Sequence, residues 1–536
     1  MKINKFTSLF ATCLLMGLTA CSNDNISDAD SGNSAKDKDL TGKTSFSITS
    51  EAKTRTSGVY DGSGVDFYWT TNDNIWVNSG STTSPTLTAS SSNNITSTTT
   101  ASAKFYFDGT YTAASYPVRY TGNASTSGNT VTIATSQNQD VANNATQLGT
   151  VGDCGVGTAT RQTDGSYKFT LSHKASYITF MPYYSKEALD ASAVVTQINV
   201  TVANGESLAG TFNFSDSGLG AANSSSSSNS VTLTLNGTSS TTGFPIPTEA
   251  TASKNAAIMV VAPGTYSTFK VTYTLYDSVT GTKSTISYTY SNIKCVAGKN
   301  QKISTNLGME TYTSRKSNYY MWDAVNNYWD GHANSQPLLN DAENTNYAKS
   351  SDDTRWYNTA FTYKVQTKAI NSCKDEPTFE ALTWYIKAGS PQLDKKTLWV
   401  FANHLYVGGI WLKKKSKILG FNPTKSYTGT HKWVLGIVNP FDVAISGKPE
   451  SSVRSDYFYL PALGKYVDGK LTGLGVSGYY WASTPNPVNN GDRSAGYGKV
   501  ISANCLRFTI DESNMDNVYV RSYYERYVGM QVQKFE

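Results

Sequence analysis

Histidine is scarce in this chain, at 4 in 536 residues, and none of its 6 cysteines falls in a C-x-x-C pair. Zinc needs such ligands at short fixed spacings, so no zinc site is supported. Charge is thin as well: Asp, Glu, Lys and Arg make up 16% of the sequence, and the formal net charge is +5. Binders of nucleic acid or of a membrane surface carry clustered lysine and arginine, and scattered charge of this size argues against both. The run Lys413-Lys414-Lys415 reads as a solvated strand or loop edge. Long periodic stretches of Leu, Ala, Glu and Lys are nearly absent, which removes a helical bundle as the main architecture. Gly, Ser, Thr and Tyr fill their place. The chain reads as mainly β, long enough for about three folded units at roughly 100–200 residues each.

The opening MKINKFTSLFATCLLMGLTAC sets two lysines before an apolar stretch from Phe6 to Ala20. That stretch is too short to cross a bilayer and has the layout of a signal peptide, assigned to residues 1–20. LTAC, Leu18 to Cys21, resembles the bacterial lipobox, in which the cysteine is lipidated and becomes the first mature residue. The resemblance implies a lipoprotein anchored at Cys21 by more than one acyl chain, palmitate among them, enough for a stable hold on the membrane. A plain secretory peptide with an incidental cysteine is the other reading. Residues 21–43 lack apolar periodicity and make a disordered tether. Its early acid, Asp24, resembles the export tags of surface lipoproteins, which implies a surface-exposed place on the cell outer membrane. Of the later cysteines, Cys154, Cys295, Cys373 and Cys505, a bridge between Cys373 and Cys505 and buried single thiols both stay open.

From Thr44 onward, short runs such as SFSIT, DFYWT, AKFYF and SYITFMP alternate apolar and polar residues between Gly, Asn, Asp and Ser turns. Runs of roughly four to eight residues bounded in this way suit a β-sandwich. TQINVTV, SVTLTLN, TFKVTYTLYD and STISYTYS repeat the style, and NSSSSSNS (223–230) is a surface loop. Two tandem sandwiches are expected, 44–184 and 185–310, with the seam near 182–193.

Behind the lipobox come TRTSGVYDGSGVDFYWTTNDNIWVNS (54–79), FTLSHKASYITF (169–180) and LAGTFNF (208–214). In that order they resemble the fimbrillin (type V pilin) family of two-domain pilins of anaerobic oral and gut bacteria. The resemblance implies transthyretin-like sandwiches and a lipoprotein precursor held in the outer membrane. It also implies trimming after an arginine by a trypsin-like protease, then assembly into a pilus, or fimbrium, with other pilin subunits by strand donation. Taking one strand out of a sandwich exposes an apolar groove and unpaired N–H and C=O groups, so a donated strand binds there. Arg55 is the only arginine before Arg119 and lies in a Thr/Ser/Gly stretch open to a protease. It is the expected processing site, against the alternative of a solvated loop arginine in a subunit never cut.

Eight of the ten tryptophans fall between Trp322 and Trp481, which marks 311–536 as a separate domain. Its one clear helix is DEPTFEALTWYIKAG, with Phe379, Leu382, Thr383 and Ile386 at helical spacing, Asp375 as N-cap and Gly389 as stop. Further on, Gly478, Tyr480, Trp481, Ser483 and Thr484, then Arg526, Gly529 and Val532, resemble the motif of C-type-lectin-like and formylglycine-enzyme-like modules. Ala482 and Gln533 depart from it. The resemblance implies an α+β lectin-like domain in which Trp481 plugs the core and any ligand sits on loops above. Carbohydrate binding needs flat apolar faces with polar neighbours, and Trp322, Trp329, Trp356, Tyr357, Tyr479, Tyr523 and Tyr524 supply candidates.

The acidic-amide triplet by which true C-type lectins hold calcium is missing, so no metal or other cofactor is expected. His173, His332, His404 and His431 have no Ser or Cys partner at a recognised spacing, and the acids are too scattered to nominate a glycosidase pair. Cys505 lacks the nearby second cysteine that formylglycine-enzyme chemistry uses. The expectation is a non-catalytic fimbrial tip or accessory adhesin that accepts a donor strand but, with its C-terminal residues committed to a folded domain, offers none. Its ligand would be a host or bacterial glycan or protein, not nucleic acid. A permanently lipid-anchored glycan-capturing protein is the alternative, and an enzyme acting on glycans is a third reading.

Overall fold

The computed structural model describes residues 40–48, 57–60, 62, 65–96, 100–235, 242–360, 368–429, 441–486, 502–510 and 517–536, with backbone alone at 57–59, 441–443, 517 and 523. The signal segment, Cys21, most of the tether, Arg55 and His431 lie outside these residues.

Threonine, valine and tyrosine recur at alternate positions, and β-branched and aromatic side chains fit a half-buried pleated surface. In Gly264–Asp277, Phe269, Val271, Tyr273 and Leu275 are buried while the residues between them are exposed or half-buried. This strand pairs with Thr282–Cys295, each 14 residues long, as an antiparallel hairpin.

The first sheet has nine strands. Lys43–Ile48 lies inside it, antiparallel to Ala103–Asp108 on one side and parallel to Tyr167–Phe169 on the other. A six-stranded sheet is built on Ala193–Val202 and the long hairpin. Against it packs a three-stranded sheet of Ala257–Val261, Ser176–Tyr183 and Asn300–Asn306, where the Tyr273 hydroxyl meets Thr305 Oγ1 at 2.9 Å.

The seam expected near 182–193 does not divide these sheets. Ser136–Gln139 runs parallel to Ser230–Leu235, Thr130–Ile133 pairs with Gly210–Ser215, and Ser176–Tyr183 pairs with strands 257–261 and 300–306. Strands from the first half therefore complete the second group of sheets. Alternation of side chains along a strand records its two faces, not which neighbour closes its hydrogen-bond ladder.

After residue 310 come a five-stranded sheet around Gln392–Phe401 and His404–Lys413 and an eight-stranded sheet around Ser477–Pro485, Ser502–Thr509 and Asn517–Glu525. Helix Phe379–Lys387 packs on the latter, with Leu382, Tyr385 and Ile386 in one buried cluster with Tyr480, Leu506, Val518 and Phe535. Its N-cap is Thr378, whose Oγ1 accepts the Ala381 N–H at 3.1 Å, and not Asp375. Pro377 disfavours helical backbone at the residue before it, and threonine is a good cap at the next position. The core does not stop at the expected boundary either: Leu398, Val400 and Leu405 share a buried cluster with Val195 and Tyr273. Lys43–Glu536 forms one compact unit.

Candidate functional site

The first candidate is the strand Lys43–Ile48. Phe46 stands opposite Phe105 on one neighbour and Tyr167 on the other. Its ring stacks on Tyr167 at 4.6 Å and meets Phe107 edge-on at 4.9 Å, and Phe46 and Ile48 are 0% and 2% exposed. Polar residues of the strand reach outward: Lys43 Nζ pairs with Asp108 at 2.9 Å, and Thr44 Oγ1 donates to the Gly109 carbonyl at 2.8 Å. The strand is thus held by two backbone ladders and two apolar anchors, with Arg55 following it in sequence.

The second candidate is the aromatic motif. All of Ser477–Pro485 is buried. Trp481 Nε1 donates to the Tyr320 carbonyl at 2.8 Å, and the Tyr480 hydroxyl to the Pro461 carbonyl at 2.6 Å. Gly478 has no room for a side chain, since a Cβ there would stand 2.3 Å from the Phe508 ring; at Gly529 it would stand 2.5 Å from Tyr328. Arg526 is buried, donates to the Ser502, Asn358 and Ala360 carbonyls at 3.2, 2.7 and 2.9 Å, and lies 4.2 Å over the Trp322 ring. It pins the backbone at 358–360 to the sheet.

Of the seven aromatics expected to meet a ligand, the six with described side chains do not gather into one surface. Trp322 and Trp329 are each 1% exposed, so neither offers a face; both expectations are corrected by the packing of Trp322 against Trp481 and Cys373 and of Trp329 against Tyr328 and Tyr466. Trp356 and Tyr357 are half-buried neighbours with ring centroids 4.8 Å apart. Tyr479 and Tyr524 belong to a different apolar cluster, edge to face at 5.6 Å; Tyr479 is buried there, which corrects that expectation, while Tyr524 is half-buried. The side chain of Tyr523 lies outside the described residues.

Cys373 and Cys505 share that cluster as buried free thiols, as do Cys154 and Cys295 elsewhere, so the bridge left open by the sequence is not formed. His173 Nδ1 lies 2.7 Å from Asp153 Oδ1, the Tyr177 hydroxyl donates to the same carboxylate, and Phe67 stacks on the imidazole at 4.1 Å. This is a buried packing knot. Among the described residues, no group of three or more His, Cys, Asp or Glu is arranged to hold a metal.

No family model and no curated protein matches the chain. Among solved structures it is similar to a Bacteroides uniformis protein named for cell adhesion, at 15% identity over 49% of this chain and 93% of that one, with a TM-score of 0.30. It is also similar to a fimbrial assembly protein from Parabacteroides distasonis, at 12% identity over 49% and 90%, TM-score 0.25. A fimbrial protein from Bacteroides ovatus follows at 12% identity over 52% of each chain, TM-score 0.22. Likeness this low carries no functional weight, and the residues themselves have to.

Two features escaped the sequence reading. Glu376 is buried, its Oε2 meets no hydrogen-bond partner among the described residues, and burial pushes its carboxyl up to about 8. Lys465, Arg507 and Arg521 stand on neighbouring strands of the eight-stranded sheet, around Tyr479, Tyr519 and Tyr524. Arg507 and Arg521 stand on the two arms of one hairpin, and strand pairing brings Lys465 to them.

Proposed function

We propose that this chain is a cell-surface fimbrial subunit, a tip or accessory adhesin, exported as a lipoprotein through Cys21, cut after Arg55 and assembled by strand exchange. One observation carries the reading: the strand before Arg55 and the hairpin after it belong to different cores. Phe46 and Ile48 sit in one buried cluster, and Tyr60, Val65 and Phe67 in another. A cut after Arg55 would free the first strand while the hairpin Ser57–Tyr60 with Val65–Tyr68 stays seated. The vacated groove would expose Phe105, Phe107 and Tyr167 between two unpaired strand edges, which is what a donated strand needs.

Residues 517–536 favour a terminal position. Strand 517–525 is paired on both sides, and Phe535 packs on Tyr385 and Tyr480, so this segment is engaged within its own chain and not on offer to a neighbour. In this reading the region from 311 onward binds a glycan or protein without catalysis.

The test is limited digestion of the chain with an arginine-specific protease, followed by N-terminal sequencing and titration with a synthetic peptide of residues 43–48. A body starting at Thr56 that rebinds the peptide is expected. Surface material that keeps lipid at Cys21 and never starts at Thr56 would overturn the reading in favour of a permanently anchored ligand-binding lipoprotein.

A further inference from the structure

One face of the eight-stranded sheet gathers three cations. Tyr480, Leu506, Val518 and Val520 face the helix-side core. Because side chains alternate along a strand, Tyr479, Arg507, Tyr519 and Arg521 face the other way. The register agrees, with Arg507 opposite both Tyr479 and Tyr519, and Arg521 opposite Cys505. From Leu463–Val467, Lys465 reaches the same place: its Nζ lies 4.8 Å from the Tyr479 ring centre and 4.7 Å from that of Tyr524. The Arg507 guanidinium is 5.7 Å from the Tyr479 ring, and that of Arg521 is 4.5 Å from the Tyr519 ring. Lys465 and Arg507 both lie over the Tyr479 ring, and Arg521 stands on the strand that pairs with that of Arg507, so the three charges share one face.

Nothing described neutralises them. Lysines 43, 186, 414, 417 and 470 each have a carboxylate at 2.8–2.9 Å. Among the described residues, Lys465, Arg507 and Arg521 have none within ion-pair distance, and Nε of each arginine is buried without a hydrogen-bond partner. Like charges held together at half-buried positions repel one another, and an unmet guanidinium N–H is costly to bury. An anion bound to the outer ends of these side chains relieves the repulsion.

We propose that this face binds an acidic saccharide, with Lys465, Arg507 and Arg521 holding its carboxylate or sulfate and the half-buried Tyr519 and Tyr524 meeting its ring. A guanidinium fork matches the paired oxygens of such a group. Tyrosine offers a flat apolar face with a hydroxyl at its tip, which suits the C–H face and hydroxyls of a sugar. A nucleic acid would need cations repeated along a track, whereas this face carries three on neighbouring strands. The proposal deepens the adhesin reading by naming its ligand class and rests on it only in placing ligand binding in the C-terminal region.

Calorimetric titration of the full chain with hyaluronan hexasaccharide, chondroitin sulfate hexasaccharide and 3′-sialyllactose, against neutral chitohexaose and lactose, tests it. At least one acidic probe should bind while the neutral ones do not, and Lys465→Met and Arg507→Gln should each weaken that binding at least tenfold. Should Arg507→Gln fail to fold, sodium sulfate is expected to displace the acidic probe better than sodium chloride at equal ionic strength. Equal binding of neutral and acidic probes overturns the charge proposal but leaves an adhesin with another ligand class. Silence from all five probes also overturns it, while strand exchange stands or falls separately on the Thr56 terminus.

Discussion

His404 Nδ1 lies 3.1 Å from Asp277 Oδ2, and the Leu405 N–H donates to the same oxygen at 3.0 Å. Asp277 closes the long strand 264–277 and His404 opens strand 404–413, so one buried carboxylate ties the second group of sheets to the C-terminal five-stranded sheet. Its other oxygen accepts the Ser192 hydroxyl at 2.9 Å and the Val279 N–H at 3.0 Å. Thr280 Oγ1 adds a bond to the Leu405 carbonyl at 2.8 Å, and Ser284 Oγ one to the Lys396 carbonyl at 2.7 Å. Directional bonds of this kind, set beside the shared apolar cluster, hold the two regions in one orientation.

Asp277→Ala removes the acceptor and strands these donors inside the protein. An orphaned buried donor costs about 1–3 kcal/mol, so a loss of about 2–4 kcal/mol is expected in urea denaturation. A variant within about 0.5 kcal/mol of the parent would mean that the joint does not depend on this carboxylate.

Glu376 makes stability depend on pH. Its carboxyl ordinarily titrates at 4.5 and is raised to about 8 by burial. Below 4.5 both folded and unfolded chains hold the proton; between 4.5 and about 8 the unfolded chain gives it up first, so stability falls as pH rises and levels off above that window. Each unit of displacement is worth about 1.4 kcal/mol, and the total is on the order of a few kcal/mol. Glu376→Gln should flatten the decline of melting temperature between pH 5 and pH 8; an unchanged slope would assign it to other groups.

Phe46→Ala hollows the first strand between Tyr167 and Phe107. Truncating a buried phenylalanine costs about 3–5 kcal/mol. The uncut variant should lose stability in that range, and if strand exchange occurs, peptide 43–48 carrying the same change should compete poorly for the groove. Equal binding by both peptides would show that the phenyl ring is not the anchor.

The described thiols should be silent in the native protein. Burial raises the Cys154 and Cys373 thiols well above their ordinary value, Cys295 to about 11 and Cys505 to about 12. Since the thiolate is the reactive form, Ellman's reagent should find Cys154, Cys295, Cys373 and Cys505 only after denaturation. Rapid labelling of any of them in buffer would contradict this packing.

The strands were legible where period-two alternation was clean, as in 264–277, and the helix where apolar residues recurred at helical spacing with a polar cap nearby. Its cap was misplaced by three residues, from Asp375 to Thr378, because both can cap and the effect of Pro377 on the backbone decides between them. Trp322 and Trp329 look alike to Trp356 in composition, yet two are buried and one is half-buried. A tryptophan suits a core as well as a surface, and its own sequence neighbourhood does not distinguish them.

By itself, then, the sequence determined what is local: β content, strand faces and the amphipathic helix. These follow from rotation about a few bonds and from which side of an element is apolar. Tertiary structure alone decided that 43–48 lies between 103–108 and 167–169, that strands 130–139 and 176–183 complete the second group of sheets, and that Lys465, Arg507 and Arg521 share one face. The partners of 43–48, 130–139 and 176–183 are chosen by side-chain packing across gaps of about 60 to 120 residues, over which no short-range pattern in the chain carries the choice.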